Sequence, residues 1–327
     1  MSKTAVEKLL RVLESLSSSL ASTKVGYRNL GNCGLRVSNL ILGGLHMGSS
    51  KWLPLVLDEA QALPLLKVAY DRGINTWDTA NVYSNGQSER IMAKAMSKFG
   101  IPRSKVILMT KCYRVICDPE HYDPGAEVTM HNDLADQSKD YVNQWGKWLP
   151  KSQRLSRAAI FNAVEASLER LNTHYIDVFH IHRFDNTVPI EETVCALNDL
   201  VRAGMVRYIG ASSMWTYQLA AMQNLAEHKD WTKFVSMQNH YNLIYREEER
   251  EMIKYCNATG WAPLASGRLA RSPSRSSSSV RASTSSNGSI YAGGDDSTCR
   301  ILARVEEVAK KRGWPISYVG LAWLTEG

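Results

Sequence analysis

The chain contains no run of ~20 uninterrupted apolar residues, so no membrane-spanning helix is expected. It also lacks a CxxC pair and any zinc-type cysteine spacing. Its six cysteines, at 33, 112, 117, 195, 256 and 299, are scattered and read as reduced thiols of an intracellular, cytoplasmic protein. No GxGxxG follows the first apolar run, which removes the usual fingerprint of a doubly wound dinucleotide fold. Charge is mild: a net +7 fits phosphate-bearing small molecules as well as nucleic acid. The basic residues form no stripe beyond the Arg/Ser-rich stretch at 268–281, so a nucleic-acid partner is not expected. What remains, with 44% apolar and 9% aromatic residues over 327 positions, is a globular composition that excludes a disordered, collagen-like or coiled-coil chain.

Residues 1–25 form an N-terminal extension in which Leu9, Leu10, Val12, Leu13, Leu16 and Leu20 make a helical stripe. Glu7 and Glu14 within it argue against a mitochondrial presequence. Residues 26–327 make one domain. A hairpin is expected around 27–38, with its turn at Asn32–Gly34. A strand–helix unit then repeats. Strands are expected at 40–44, 74–79, 105–111, 176–182, 206–212 and 234–238. Helices are expected up to 72 and over 87–99, 155–171, 190–203, 215–229 and 245–259, with Gly73, Gly204 and Gly260 as stops. This alternation predicts a parallel sheet, and its count favours a (β/α)8 barrel. The pattern breaks after Gly260, where Pro263 argues against a central strand. A Ser/Arg/Gly-rich loop is expected over 271–298 and helices over 299–312 and 316–324. Six barrel strands are expected where closure takes eight, so the barrel is expected to be incomplete, lacking strands seven and eight.

In such barrels chemistry gathers at the carboxyl ends of the strands. Asp78 closes the second expected strand, Tyr83 follows it, Lys111 closes the third and His182 the fourth. Each has an ordinary structural reading: a cap, a packed aromatic, a snorkelling lysine, a core histidine. Together they form an acid device. A lysine ammonium, held by an aspartate, is expected to lower the pKa of the phenol, which then protonates a carbonyl oxygen that neutral His182 orients. The hydride must come from a nicotinamide cofactor. Ser212, Ser213 and Gln238 are expected cofactor contacts at the next strand ends, with helix caps as the alternative. Trp261 could stack on the nicotinamide or plug the core, and the backbone at 264–268 could cradle a pyrophosphate.

The segments WDTANVY (77–83), MTKCY (109–113), DVFHIHRFD (177–185), YIGASSM (208–214), MQNHYNLIYREEER (237–250) and WAPLASGRLAR (261–271) resemble the aldo-keto reductase superfamily. The likeness is to fungal members of the branch that contains the potassium-channel β subunits. It covers roughly 26–327 and implies a metal-free, NADPH-dependent barrel enzyme acting on aldehydes and ketones, often aromatic. It implies a catalytic tetrad at Asp78, Tyr83, Lys111 and His182. Carboxamide contacts fall at Ser212, Ser213 and Gln238, ring stacking at Trp261, and a pyrophosphate loop at Leu264, Gly267 and Arg268. Gly44, Leu45 and His46 match the segment after the first strand that touches cofactor and substrate. Tyr113, Tyr122, Tyr141, Trp145 and Trp148 fall on the family's variable substrate loop.

Relative to that pattern a strand is absent before Trp261, and the eighth strand with the 2′-phosphate site does not follow. Lower stability and weaker cofactor binding than in a complete member are therefore expected, since unclosed sheet edges stay unpaired. The leading expectation is carbonyl reduction. The alternatives are a cofactor-binding regulatory subunit, for which residues 1–24 would be the docking surface, and an inactive truncated family member. Substrate identity and oligomeric state are not readable from these residues.

Overall fold

The computed structural model describes residue 14 and residues 23–114, 116, 155–255, 259–261 and 296–326. The expected N-terminal helix, apart from Glu14, therefore lies outside the described residues. So do most of the 112–153 loop and nearly all of 271–298.

The hairpin forms as expected: β1 (Tyr27–Asn29) pairs antiparallel with β2 (Arg36–Ser38). Leu30 and Val37 pack with Met109 and Val178, so the hairpin covers one end of the sheet. Next come β3 (Leu42–Gly43) and a small parallel pair, β4 (Met47–Gly48) with β5 (Leu57–Asp58), which the sequence pattern had not indicated. The repeating unit follows. It runs α1 (Glu59–Asp71), β6 (Thr76–Asp78), a 3-10 turn at Tyr83–Gly86, α2 (Gln87–Lys98), β7 (Ile107–Cys112), α3 (Arg157–Arg170) and β8 (Ile176–Ile181). It continues through α4 (Ile190–Arg202), β9 (Val206–Ser212), α5 (Thr216–His228) and β10 (Phe234–His240). The chain then runs through α6 (Met252–Tyr255), β11 (Thr259–Trp261), α7 (Asp296–Arg312) and α8 (Ile316–Glu326).

Among the described residues seven strands form one parallel sheet in the order β11-β10-β9-β8-β7-β6-β3, curled into a half-barrel. Its helix-facing side is apolar: Trp77, Leu108, Phe179, Ile181, Ile209 and Ala211 are buried with Leu66, Met92, Ile160 and Leu197 of the helices. Glycines end the units where a left-handed residue is required, as at Gly73 (φ 91°) and Gly204 (φ 74°). No described helix is long and apolar enough to cross a membrane.

Two expectations need correction. Six strands were expected, but a seventh is present as the three-residue β11, which pairs with β10 in the register Gln238↔Thr259 and His240↔Trp261. Gly260 is thus a strand residue opposite Asn239 and not a helix stop, and the strand ends before Pro263 can interrupt it. The helix expected over 245–259 is replaced by a 3-10 turn at Glu247–Glu249 and the single turn α6. Asn242 Oδ1 accepts from the backbone N–H groups of Ile244 (2.9 Å) and Tyr245 (3.0 Å), and this local turn diverts the chain where the helix would start.

Candidate active site

Two rows of inward-facing side chains can be traced across the sheet. Register pairs Lys111 with His180, and His180 with Gly210. His180 crosses over Gly210 to reach Ser236, its Nε2 lying 3.0 Å from Ser236 Oγ. A Cβ at Gly210 would stand 2.4 Å from His180 Cδ2 and 2.5 Å from Ser236 Oγ, so only glycine leaves room for that bond. Two residues further along the strands, period-two alternation puts His182, Ser212 and Gln238 in the next row.

Lys111 is fully buried and its charge is matched at short range. Nζ donates to Asp78 Oδ1 and Oδ2, both at 2.6 Å, and to the carbonyl of Thr79 at 2.8 Å. The same Nζ lies 5.6 Å from the centre of the Tyr83 ring. Tyr83 meets His182 edge-on, with ring centres 5.9 Å apart at 77°. The four residues expected at successive strand ends are thereby brought together.

The Tyr83 turn is unusual. Ser84 (φ 48°), Asn85 (φ 50°) and Gly86 (φ 85°) are consecutive left-handed residues. For Ser84 and Asn85 this conformation is strained and persists only where the surroundings hold it. Ser84 Oγ is fixed by the backbone N–H of Ser49 at 3.2 Å.

The electrostatics differ in one respect from expectation. Burial pushes the Tyr83 phenol above its ordinary value of 10.0, and the pull of Lys111 the other way only partly offsets this. The expected lowering of the phenol pKa is therefore not the net result, because removal from water outweighs the neighbouring charge. His182 is held well below 6.5, first by burial and then by Lys111, Arg183, Arg114 and His180, so it is neutral as expected. Among the described residues its Nδ1 is buried with no hydrogen-bond partner. Burial and then Lys111 bring His180 down to about 3.

At the neighbouring strand ends, Ser212 Oγ donates to Gln238 O (2.7 Å) and lies 3.2 Å from Ser213 Oγ. Ser213, itself left-handed at φ 48°, donates its N–H to Asn239 Oδ1 at 3.0 Å. The structure therefore groups Ser212, Ser213 and Gln238, and among the described residues no hydrogen bond engages the Gln238 side-chain amide. On the other flank, Gly44 N–H donates to Asp78 O at 2.7 Å, which sets Gly44 and half-buried Leu45 beside the Asp78 strand end. Trp261 ends β11, with only its backbone described, and Leu264, Gly267 and Arg268 lie outside the described residues.

The sequence reading passed over three neighbours. His180 shares a strand face with His182 at a spacing of two, a signal that was available. Arg183, whose Nη1 donates to His182 O at 2.9 Å, and Arg114, whose carbonyl accepts from Asn81 Nδ2 at 3.2 Å, add positive charge near Tyr83 and His182. A separate cavity of 450 Å³, lined by Ser156, Arg157, Ala158, Phe161 and Glu192, contains none of these groups.

Comparison with known proteins points the same way as the geometry. The profile described as "Aldo/keto reductase family" matches residues 39–327. An aldo-keto reductase of Fusarium vanettenii is 72% identical over 100% of this chain and 87% of its own length. The versiconal hemiacetal acetate reductase of Aspergillus parasiticus is 46% identical over 91% of this chain and 84% of its own length. A Schizosaccharomyces pombe protein provisionally named an aryl-alcohol dehydrogenase is 44% identical, again over 91% of this chain and 84% of its own.

Proposed function

This chain belongs to the aldo/keto reductase family and is an oxidoreductase acting on small carbonyl compounds, and from that premise we propose that it reduces an aldehyde or ketone to an alcohol using NADPH as hydride donor and Tyr83 as proton donor. The observation that carries this reading is the buried Asp78–Lys111 pair, at 2.6 Å, beside a phenol that an imidazole meets edge-on.

The nicotinamide end of the cofactor suits the residues present. A primary amide needs both donors and acceptors, and the two hydroxyls of Ser212 and Ser213 with the unengaged amide of Gln238 offer both kinds. Bound there, the cofactor would supply a hydride to the carbonyl carbon. Everything else falls to the protein. The Tyr83 O–H donates to the carbonyl oxygen. Neutral His182 keeps one N–H with which to orient that oxygen. As negative charge develops there, the proton moves from Tyr83 Oη to the oxygen, because an alkoxide is a stronger base than a phenolate. The phenolate left behind faces the fixed charge of Lys111. A phenol whose resting pKa is raised keeps its proton until that moment, which suits an acid better than an ionised group would.

An aromatic substrate is favoured by the aromatic surface of Tyr83 and by the provisional aryl-alcohol activity in the name of one relative. Preference for NADPH over NADH is proposed from the family alone. The test is oxidation of NADPH, and separately NADH, with an aromatic aldehyde. Tyr83→Phe is expected to lower kcat by about 10²- to 10⁴-fold with unchanged quenching of tryptophan fluorescence by NADPH. Full activity in that variant would refute the proton-donor assignment.

A further inference from the structure

Beneath the Tyr83 turn lies a buried ion pair to which the chemistry above gives no part. Glu89, in the first turn of α2, is fully buried, and Arg170 in the last turn of α3 is 9% exposed. Arg170 Nε donates to Glu89 Oε2 at 2.6 Å, and Arg170 Nη2 donates to Ser167 Oγ at 3.1 Å. The other carboxylate oxygen, Glu89 Oε1, accepts from Thr110 Oγ1 at 2.7 Å. Thr110 is the residue immediately before Lys111 on β7.

The pair also reaches the turn itself. A Cβ at Gly86 would lie 2.5 Å from Arg170 Cδ and 2.7 Å from its Nε, so the guanidinium stem packs directly on the last left-handed residue after Tyr83. Ser88, next to Glu89, accepts from Thr79 Oγ1 at 2.8 Å and donates to Gly44 O at 2.9 Å. The start of α2 is thus tied to three strand ends and to α3. Stability alone is a poor explanation for charges placed here, because apolar residues of similar volume often serve a buried site as well or better. A strained turn, by contrast, persists only if its neighbours over-determine it.

We propose that the Glu89–Arg170 pair is a positioning device that holds the Tyr83 phenol in register with Lys111, Arg170 clamping the turn at Gly86 while Glu89 ties it through Thr110 to the lysine's strand. Glu89, Arg170 and Thr110 are positioning residues and touch no reacting atom. The proposal rests on Tyr83 being the proton donor only for its catalytic consequence, and its geometric content can be read without turnover.

The experiment labels the tyrosines with ¹³C at Cζ and assigns the Tyr83 resonance with Tyr83→Phe. Thr110→Val, nearly isosteric, removes the strand-side link, and Arg170→Lys removes the turn-side clamp. Both are expected to move the Tyr83 resonance and its titration midpoint. They are expected to lower kcat about ten- to a hundredfold, the cost of a small misplacement of a reacting group, with little change in KM or in NADPH affinity. Thr110→Ser, which restores the hydroxyl, is expected to return both resonance and kcat to the parent values. A Tyr83 resonance unmoved in either Thr110→Val or Arg170→Lys overturns the inference, whatever happens to the unfolding temperature. A parent protein that fails to oxidise NADPH with any aldehyde would overturn the proposed function instead, and the resonance would still decide the positioning.

Discussion

Acid should destabilise this protein through a histidine that takes no part in the proposed chemistry. His180 is 1% exposed and neutral, with its imidazole down to about 3 against an ordinary 6.5. Between those values the unfolded chain binds a proton that the folded chain refuses, so stability falls as pH drops through that window and is fully present above it. At pH 5 the gap from the unfolded pKa is roughly 1.5 units, worth about 2 kcal/mol from this one group, and the slope approaches ~1.4 kcal/mol per pH unit. His182 is depressed in the same direction and adds its own share. The comparison that isolates His180 is urea unfolding at pH 7 and pH 5 of the parent and of His180→Gln, whose amide can still reach Ser236 Oγ. The difference in unfolding free energy between the two pH values should shrink by about 2 kcal/mol in the variant. An identical pH dependence in both proteins would show that His180 is not held neutral by burial beside Lys111, and the layer described here would be misread.

Two further outcomes follow from the same rows of side chains. Lys111→Met leaves the Asp78 carboxylate buried without its ammonium and should cost about 3–5 kcal/mol in urea unfolding, much of it recovered in the double variant Asp78→Asn/Lys111→Met. Gly210→Ala forces a methyl against the His180 ring and Ser236 Oγ and should cost about 1–3 kcal/mol, with a raised His180 pKa by NMR as the ring is displaced.

The parallel sheet was legible where a helical pattern ended in a glycine stop and an apolar run followed, as at 206–212 after Gly204, because the two signals agree on where a strand begins. It was not legible at 259–261. Three residues carry too little periodicity to register, and Gly260 beside Pro263 resembles a helix end followed by a breaker. For the helix expected over 245–259 the deciding contact is a side-chain-to-backbone turn at Asn242, which local propensity does not weigh. In the site, strand-end position was enough to single out Asp78, Lys111 and His182. The sign of the shift on Tyr83 was missed because the sequence displays a neighbouring charge and hides the loss of water. Glu89 was not singled out at all: an acid in the first turn of a helix is ordinary, and its partner Arg170 lies 81 residues away in the chain.

An ammonium has three hydrogens, and at Lys111 all three are spoken for, by the two oxygens of Asp78 and the carbonyl of Thr79. The lysine in this arrangement is a stationary electrode: it can favour a phenolate through space but has no hydrogen free to restore the phenol. In the proposed chemistry Tyr83 must therefore regain its proton from a group other than Lys111, and that step is expected to show a solvent deuterium isotope effect.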